Sequence, residues 1–99
     1  MGHLRSPQAG SDLDSIWNYV ASEDGSVEIA DRLIDSIAER FLLLANYPNI
    51  GRRRDDDLRP GLGSFPVGQY IIIYRLRDSD VLILRVLRAS RDIQALLTC

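Results

Sequence analysis

Hydrophobic positions along this chain follow two different periods. Between residues 7 and 46 they recur every three to four places: Leu13, Ile16, Trp17 and Val20, then Ala30, Leu33, Ile34, Ile37, Ala38, Phe41, Leu44 and Ala45. That spacing puts each set on one face of a helix. Ser6-Pro7 opens the first helix, since Ser is a favoured N-cap and proline suits a first helical position whose N–H would go unbonded anyway. This helix is expected from Pro7 to about Ser22, with Glu23-Asp24-Gly25 breaking it. Ser26 caps the second helix, which ends at Asn46 because Tyr47 precedes Pro48 and is pushed out of the α region. Asp12, Asp14 and Asn18 fall away from the first stripe, and Asp31, Asp35 and Glu39 line the outside of the second. Two such helices form an antiparallel hairpin whose apolar side needs a sheet to lie on.

The sheet comes from the second half. Tyr70 to Arg77 and Val81 to Arg88 are dense in Ile, Val, Leu and Tyr and are joined by Asp78-Ser79-Asp80, the signature of a β-hairpin. Both faces of each run are largely apolar, which predicts strands near the centre of the sheet with something packed on the second face. Set among them are Arg75, Arg77, Arg85, Arg88 and Arg91. An unpaired buried guanidinium is costly, so most of these must reach solvent or a partner. Leu62 to Val67 predicts a short strand leading into the hairpin, and Gly2 to Arg5 a brief edge strand. Asn49 to Pro66 is punctuated by Gly51, Pro60, Gly61, Gly63 and Pro66 around Arg52-Arg53-Arg54-Asp55-Asp56-Asp57, a charge run that reads as solvated loop.

Composition refines this picture in two respects. At 99 residues the chain reads as one ordinary globular domain, and a net charge of −2 argues against coating nucleic acid through overall charge. The charges are nonetheless segregated, with nine Arg against five Asp from Arg52 to Arg91 and eight acids against Arg32 alone from Asp12 to Glu39. There is no Lys. An all-Arg complement suits recognition of carboxylates or phosphates, and it is equally the product of a GC-rich genome. The one Cys is Cys99, no apolar run approaches a membrane span and the start lacks a signal-peptide core, so a soluble cytoplasmic protein is expected, without membrane partners.

Candidate chemistry is sparse. The one His, His3, stands beside the start, which leaves no positioned imidazole for nucleophilic schemes. Asp55-Asp56-Asp57 diverge as neighbours, and no Cys or His stands at ligand spacing, so neither a metal nor a cofactor is expected. RNA cleavage would need Arg75, Arg85 and Arg88 to stabilise phosphorane charge and Tyr70, Tyr74 or a carboxylate to move the proton. A phenol of ordinary pKa about 10 is a weak base at neutral pH. Binding is favoured over catalysis.

Against this background, Ser6-Pro7, Asp12-Leu13, Ile16 to Tyr19 and Asn46 to Arg52 follow one another as in a known family. So do Asp57-Leu58-Arg59-Pro60-Gly61-Leu62, Ser64 to Tyr70, Ile73-Tyr74-Arg75, Arg85-Val86-Leu87-Arg88 and Arg91-Asp92. The chain resembles the ParE branch of the RelE/ParE toxin superfamily over nearly its whole length. It departs at Gly63, where many members carry Arg, and at Arg88, where many carry His. The resemblance implies an α+β fold, with the two-helix hairpin packed on an antiparallel sheet of three or four strands and a short C-terminal segment from Asp92 to Leu97. It implies the toxin of a type II toxin-antitoxin pair, acting on DNA gyrase, without sequence-specific nucleic-acid binding and held in a hetero-oligomer with a ParD-like antitoxin. A ribosome-dependent endoribonuclease and an inactive antitoxin-binding relative are the alternatives. Arg75, Arg85, Arg88 and Arg91 are candidate target contacts, and Arg59, Phe65 and Tyr70 candidate antitoxin contacts. In a nuclease Tyr74, Arg85 and Arg88 would act. Arg85 has a second reading, as structural partner of Asp92, and Phe65 one as a packing residue.

Overall fold

The computed structural model describes residues 3–55, 60–77 and 80–90. Helix α1 spans Pro7–Asp24 and α2 spans Val27–Asn46. Strands β1 His3–Arg5, β2 Arg52–Arg53, β3 Leu62–Val67, β4 Tyr70–Arg77 and β5 Asp80–Arg88 complete the order β1-α1-α2-β2-β3-β4-β5. The expected caps hold both helix starts: the Ser6 hydroxyl accepts the Ala9 N–H at 3.0 Å and the Ser26 hydroxyl the Ile29 N–H at 3.2 Å. α1 runs through Asp24 before Gly25 ends it, two residues beyond the expected Ser22.

The apolar stripes do what their spacing predicts. Leu13, Ile16, Val20, Ala30, Ile37, Phe41 and Leu44 are buried against Val67, Tyr70, Ile72, Tyr74, Val81, Ile83 and Val86 of the sheet. Burying a side chain such as Ile37, Phe41 or Ile72 is worth roughly 2 kcal/mol each. Asp31, expected on the outer acidic line, accepts the Trp17 indole N–H at 2.8 Å and so ties the helices together. On the sheet's opposite face Leu62, Ile73 and Leu87 are also buried.

The sheet differs from the expected three or four antiparallel strands. It has five, in the order β1-β5-β4-β3-β2, and it is mixed. β1 pairs in parallel with β5, His3 opposite Val81 and Arg5 opposite Ile83. Three residues are too few to show a two-residue alternation, and their pairing partner lies at the far end of the chain. β2 arises from the Arg52-Arg53 run, with Arg52 opposite Ser64 and Arg53 opposite Gly63. The run therefore forms a sheet edge, in place of the expected loop. Within the hairpin Ile73 pairs with Arg85 but Tyr74 with Ile83, so Leu84 is an extra residue in a β-bulge. Ser6 sits at that bulge: its N–H donates to the Ile83 carbonyl at 2.9 Å and its hydroxyl to the Leu84 carbonyl at 2.7 Å.

Gly63 has a steric cause. The Tyr74 ring lies across it, and a Cβ at Gly63 would stand 2.5 Å from the ring. A Cβ at Gly51, on the far side of the phenol, would overlap the hydroxyl. Neither position admits a side chain while Tyr74 keeps its place. An arginine at residue 63 would require a different packing here.

Candidate functional site

Because β1 covers β5 only as far as Ile83, the second half of β5 presents an open edge beside α1. Asp12, Ser15, Ile16 and Tyr19, at i, i+3, i+4 and i+7, turn one face of α1 toward that edge. Between them and Tyr70, Arg85, Val86, Leu87 and Arg88 lies a groove of about 360 Å³. Asp12 is its fixed point. It accepts from Arg85 Nε at 2.8 Å, from Arg85 Nη2 at 3.0 Å and from the Val86 N–H at 2.9 Å. The fork-on-carboxylate geometry is the strong form of this pairing, and it satisfies an edge N–H that no strand reaches. The Asp12 carboxylate holds the Arg85 pKa above the usual guanidinium value.

Arg88 closes one end of the groove. Its guanidinium stands 5.6 Å over the Tyr19 ring, and Nη2 donates to Gln69 Oε1 at 3.0 Å. Tyr19 is itself half exposed. A charged plane stacked on an accessible aromatic can still meet a carboxylate from solution.

The sequence candidates separate into groups. Arg85, Arg88 and Tyr70 meet at the groove, with Tyr70 mostly buried in its floor. Arg75 is exposed and pairs with Leu82 and Leu62 across the sheet. Phe65 packs partly against the core and lines a second hollow at the β2 edge. Tyr74 is only 1 % exposed, and its hydroxyl points to the Pro48 carbonyl at 3.4 Å, toward β2 and away from Asp12 and Arg85. Burial raises the Tyr74 pKa, which makes the phenol a poorer acid still at neutral pH. Arg59, Arg91, Asp92 and the segment to Leu97 lie outside the described residues. Arg85 takes Asp12 as its partner.

Sequence reasoning missed Asp12, Ser15 and Tyr19 as parts of one surface. Asp12 falls on the polar side of the α1 stripe, and its partner stands 73 positions away. No local pattern signals such a pair. Among the described residues no group of three or more His, Cys, Asp or Glu could hold a metal ion.

A two-helix hairpin on a mixed sheet, with an arginine-rimmed groove beside an open strand edge, is the frame of a small RelE/ParE-type toxin. Residues 4–93 match the family described as the ParE toxin of the type II toxin-antitoxin system, parDE, and the chain belongs to that family. It is 36 % identical over 92 residues to Toxin ParE3 of Caulobacter vibrioides, covering 93 % of this chain and 90 % of that protein. It is 32 % identical over 80 residues to Toxin RelE3 of the same organism, covering 81 % and 85 %. A solved structure described as the chromosomal ParDE TA system from P. aeruginosa shares the fold. Its TM-score is 0.76 at 24 % identity, over 89 % of this chain and 95 % of that one. The protein is thus the toxin component of a type II toxin-antitoxin system, and a ParD-type antitoxin is the partner such a system implies.

Proposed function

We propose that this toxin arrests growth by binding DNA gyrase, and that a ParD-like antitoxin silences it by seating an extended segment in the α1–β5 groove. The observation that carries a binding mechanism is the separation of Tyr74 from Arg85 and Arg88. The phenol is sealed under β2 and β3, while Arg85 is committed to Asp12, so the three form no proton-transfer constellation. Arg75 and Arg88, with Arg91, are the contacts to the target, and Arg85, fixed on Asp12, holds the β5 edge beside Arg88. Tyr70, Phe65 and Arg59 serve the antitoxin.

The test is induced expression without antitoxin, with thymidine and methionine incorporation followed in one culture. DNA synthesis falling first is the expected result. Likeness to a protein named RelE3 favours one second reading, a ribosome-dependent endoribonuclease, in which protein synthesis would fall first. Unimpaired growth would mark a toxin fold that retains only antitoxin binding.

A further inference from the structure

The arginine run at residues 52–54 has no part in the α1–β5 groove, yet the fold gives it a distinct surface. β2 pairs with β3 on one side only and is the last strand of the sheet. The Arg54 N–H donates to the Leu62 carbonyl at 2.9 Å, so by the alternation of an antiparallel ladder the Arg53 N–H and C=O face outward. Beside this edge Ile50, Gly51, Arg52, Arg54, Ser64, Phe65, Pro66 and Ile71 line a hollow of about 380 Å³. On its rim Ile50 is 44 % exposed, and Tyr47, three residues before it, is 61 % exposed among the described residues. Arg53 is held by Asp55 at 3.0 Å and Arg54 donates to Ser64 at 3.1 Å, whereas Arg52 makes no ion pair among the described residues.

We infer that this edge is a second docking strip for the antitoxin. A short acidic and apolar stretch of that partner pairs with the outward backbone of Arg53, sets a carboxylate on Arg52 and covers Tyr47 and Ile50. The inference rests on the reading that the partner is a ParD-type antitoxin. Charge complementarity selects an acidic segment over a second copy of this chain. Two β2 strands paired edge to edge would bring Arg52 and Arg53 of each copy against like charges. A strand partner also explains the combination of open backbone, cation and aromatic, which a small ligand would not require. The two strips lie at opposite edges of the sheet, about 15–20 Å apart at about 4.8 Å per strand. One extended chain can reach both, and each contact then raises the effective concentration for the other.

The test measures binding of the purified ParD-type antitoxin to the full toxin chain by calorimetry. Ile50→Glu combined with Arg52→Glu is the test variant, and Asp35→Lys on the exposed side of α2 is the control. Thermal melts followed by circular dichroism establish that each variant is folded. The double variant is expected to bind tenfold or more weakly and with a flatter salt dependence, while the control stays within twofold of the unmodified toxin. A folded double variant that binds within twofold overturns the inference. So does one that keeps antitoxin affinity and loses growth arrest, which would give the edge to the target. If the unmodified toxin fails to bind, the reading of the partner itself falls.

Discussion

Arg85 and Arg75 stand on neighbouring strands of the same hairpin and have opposite fates. Arg85 is mostly withdrawn from solvent and fixed on Asp12 by two hydrogen bonds, while the same carboxylate takes the Val86 N–H. Arg75 is exposed and makes no ion pair among the described residues. What separates them is the element lying over each: α1 places a carboxylate above β5, whereas none of the ion pairs at the described residues reaches Arg75. In a sheet so rich in arginine, the overlying element decides whether a guanidinium holds the fold or stays available to a partner.

The largest break in this contrast is Arg85→Ala, which strands a carboxylate that is only 14 % exposed. We expect a loss of about 2–3 kcal/mol and a melting temperature roughly 10–15 °C lower, read by thermal denaturation. Asp12→Ala combined with Arg85→Ala should cost less than the sum of the single changes, with a coupling of about 1–2 kcal/mol in a double-mutant cycle. Additive losses would show that the pair is not a unit. Tyr74→Phe should cost about 0.5 kcal/mol at neutral pH, because its hydrogen bond is long. It should also remove a pH dependence. Burial raises the folded-state pKa of Tyr74, so its contribution is fully present below the unfolded value near 10 and is lost as pH rises through the folded value. Denaturant midpoints of the two proteins compared from pH 8 upward would show the slope in one and not the other. Smallest of all, Arg75→Ala should move stability by no more than about 0.5 kcal/mol while weakening growth arrest. A stability loss like that of Arg85→Ala would erase the contrast.

Much of the fold was legible because its signals are local. Ser6-Pro7, Ser26 and Tyr47-Pro48 mark the helix ends, and the apolar runs at Tyr70 to Arg77 and Val81 to Arg88 mark the hairpin, each within a few residues. What escaped depends on distant partners. Gly2 to Arg5 reads as a brief edge strand, but its parallel pairing with Val81 to Ile83 lies beyond any local pattern. Arg52-Arg53 carries the composition of a loop and becomes a strand because Gly63 and Ser64 lie beside it. Gly63 reads as a departure from the family until the Tyr74 ring is seen lying across it. Of the candidate groove, Arg85 and Arg88 stand out in the sequence but the pairing of Arg85 does not, since Asp12 sits among other acids and nothing near it names Arg85.

Ser6 bears on how the molecule is made. One hydroxyl both receives the first turn of α1 and reaches across to the Leu84 carbonyl, closing a loop of 78 residues. Closing so long a loop costs entropy before any contact repays it, so this join, with β1 on β5 and Asp12 on Arg85, belongs to the last stage of folding. During synthesis the helical hairpin can form early, but the groove has no second wall until β5 has emerged. The groove therefore forms only once β5 has been made, and a chain cut before Arg85 would lack its second wall.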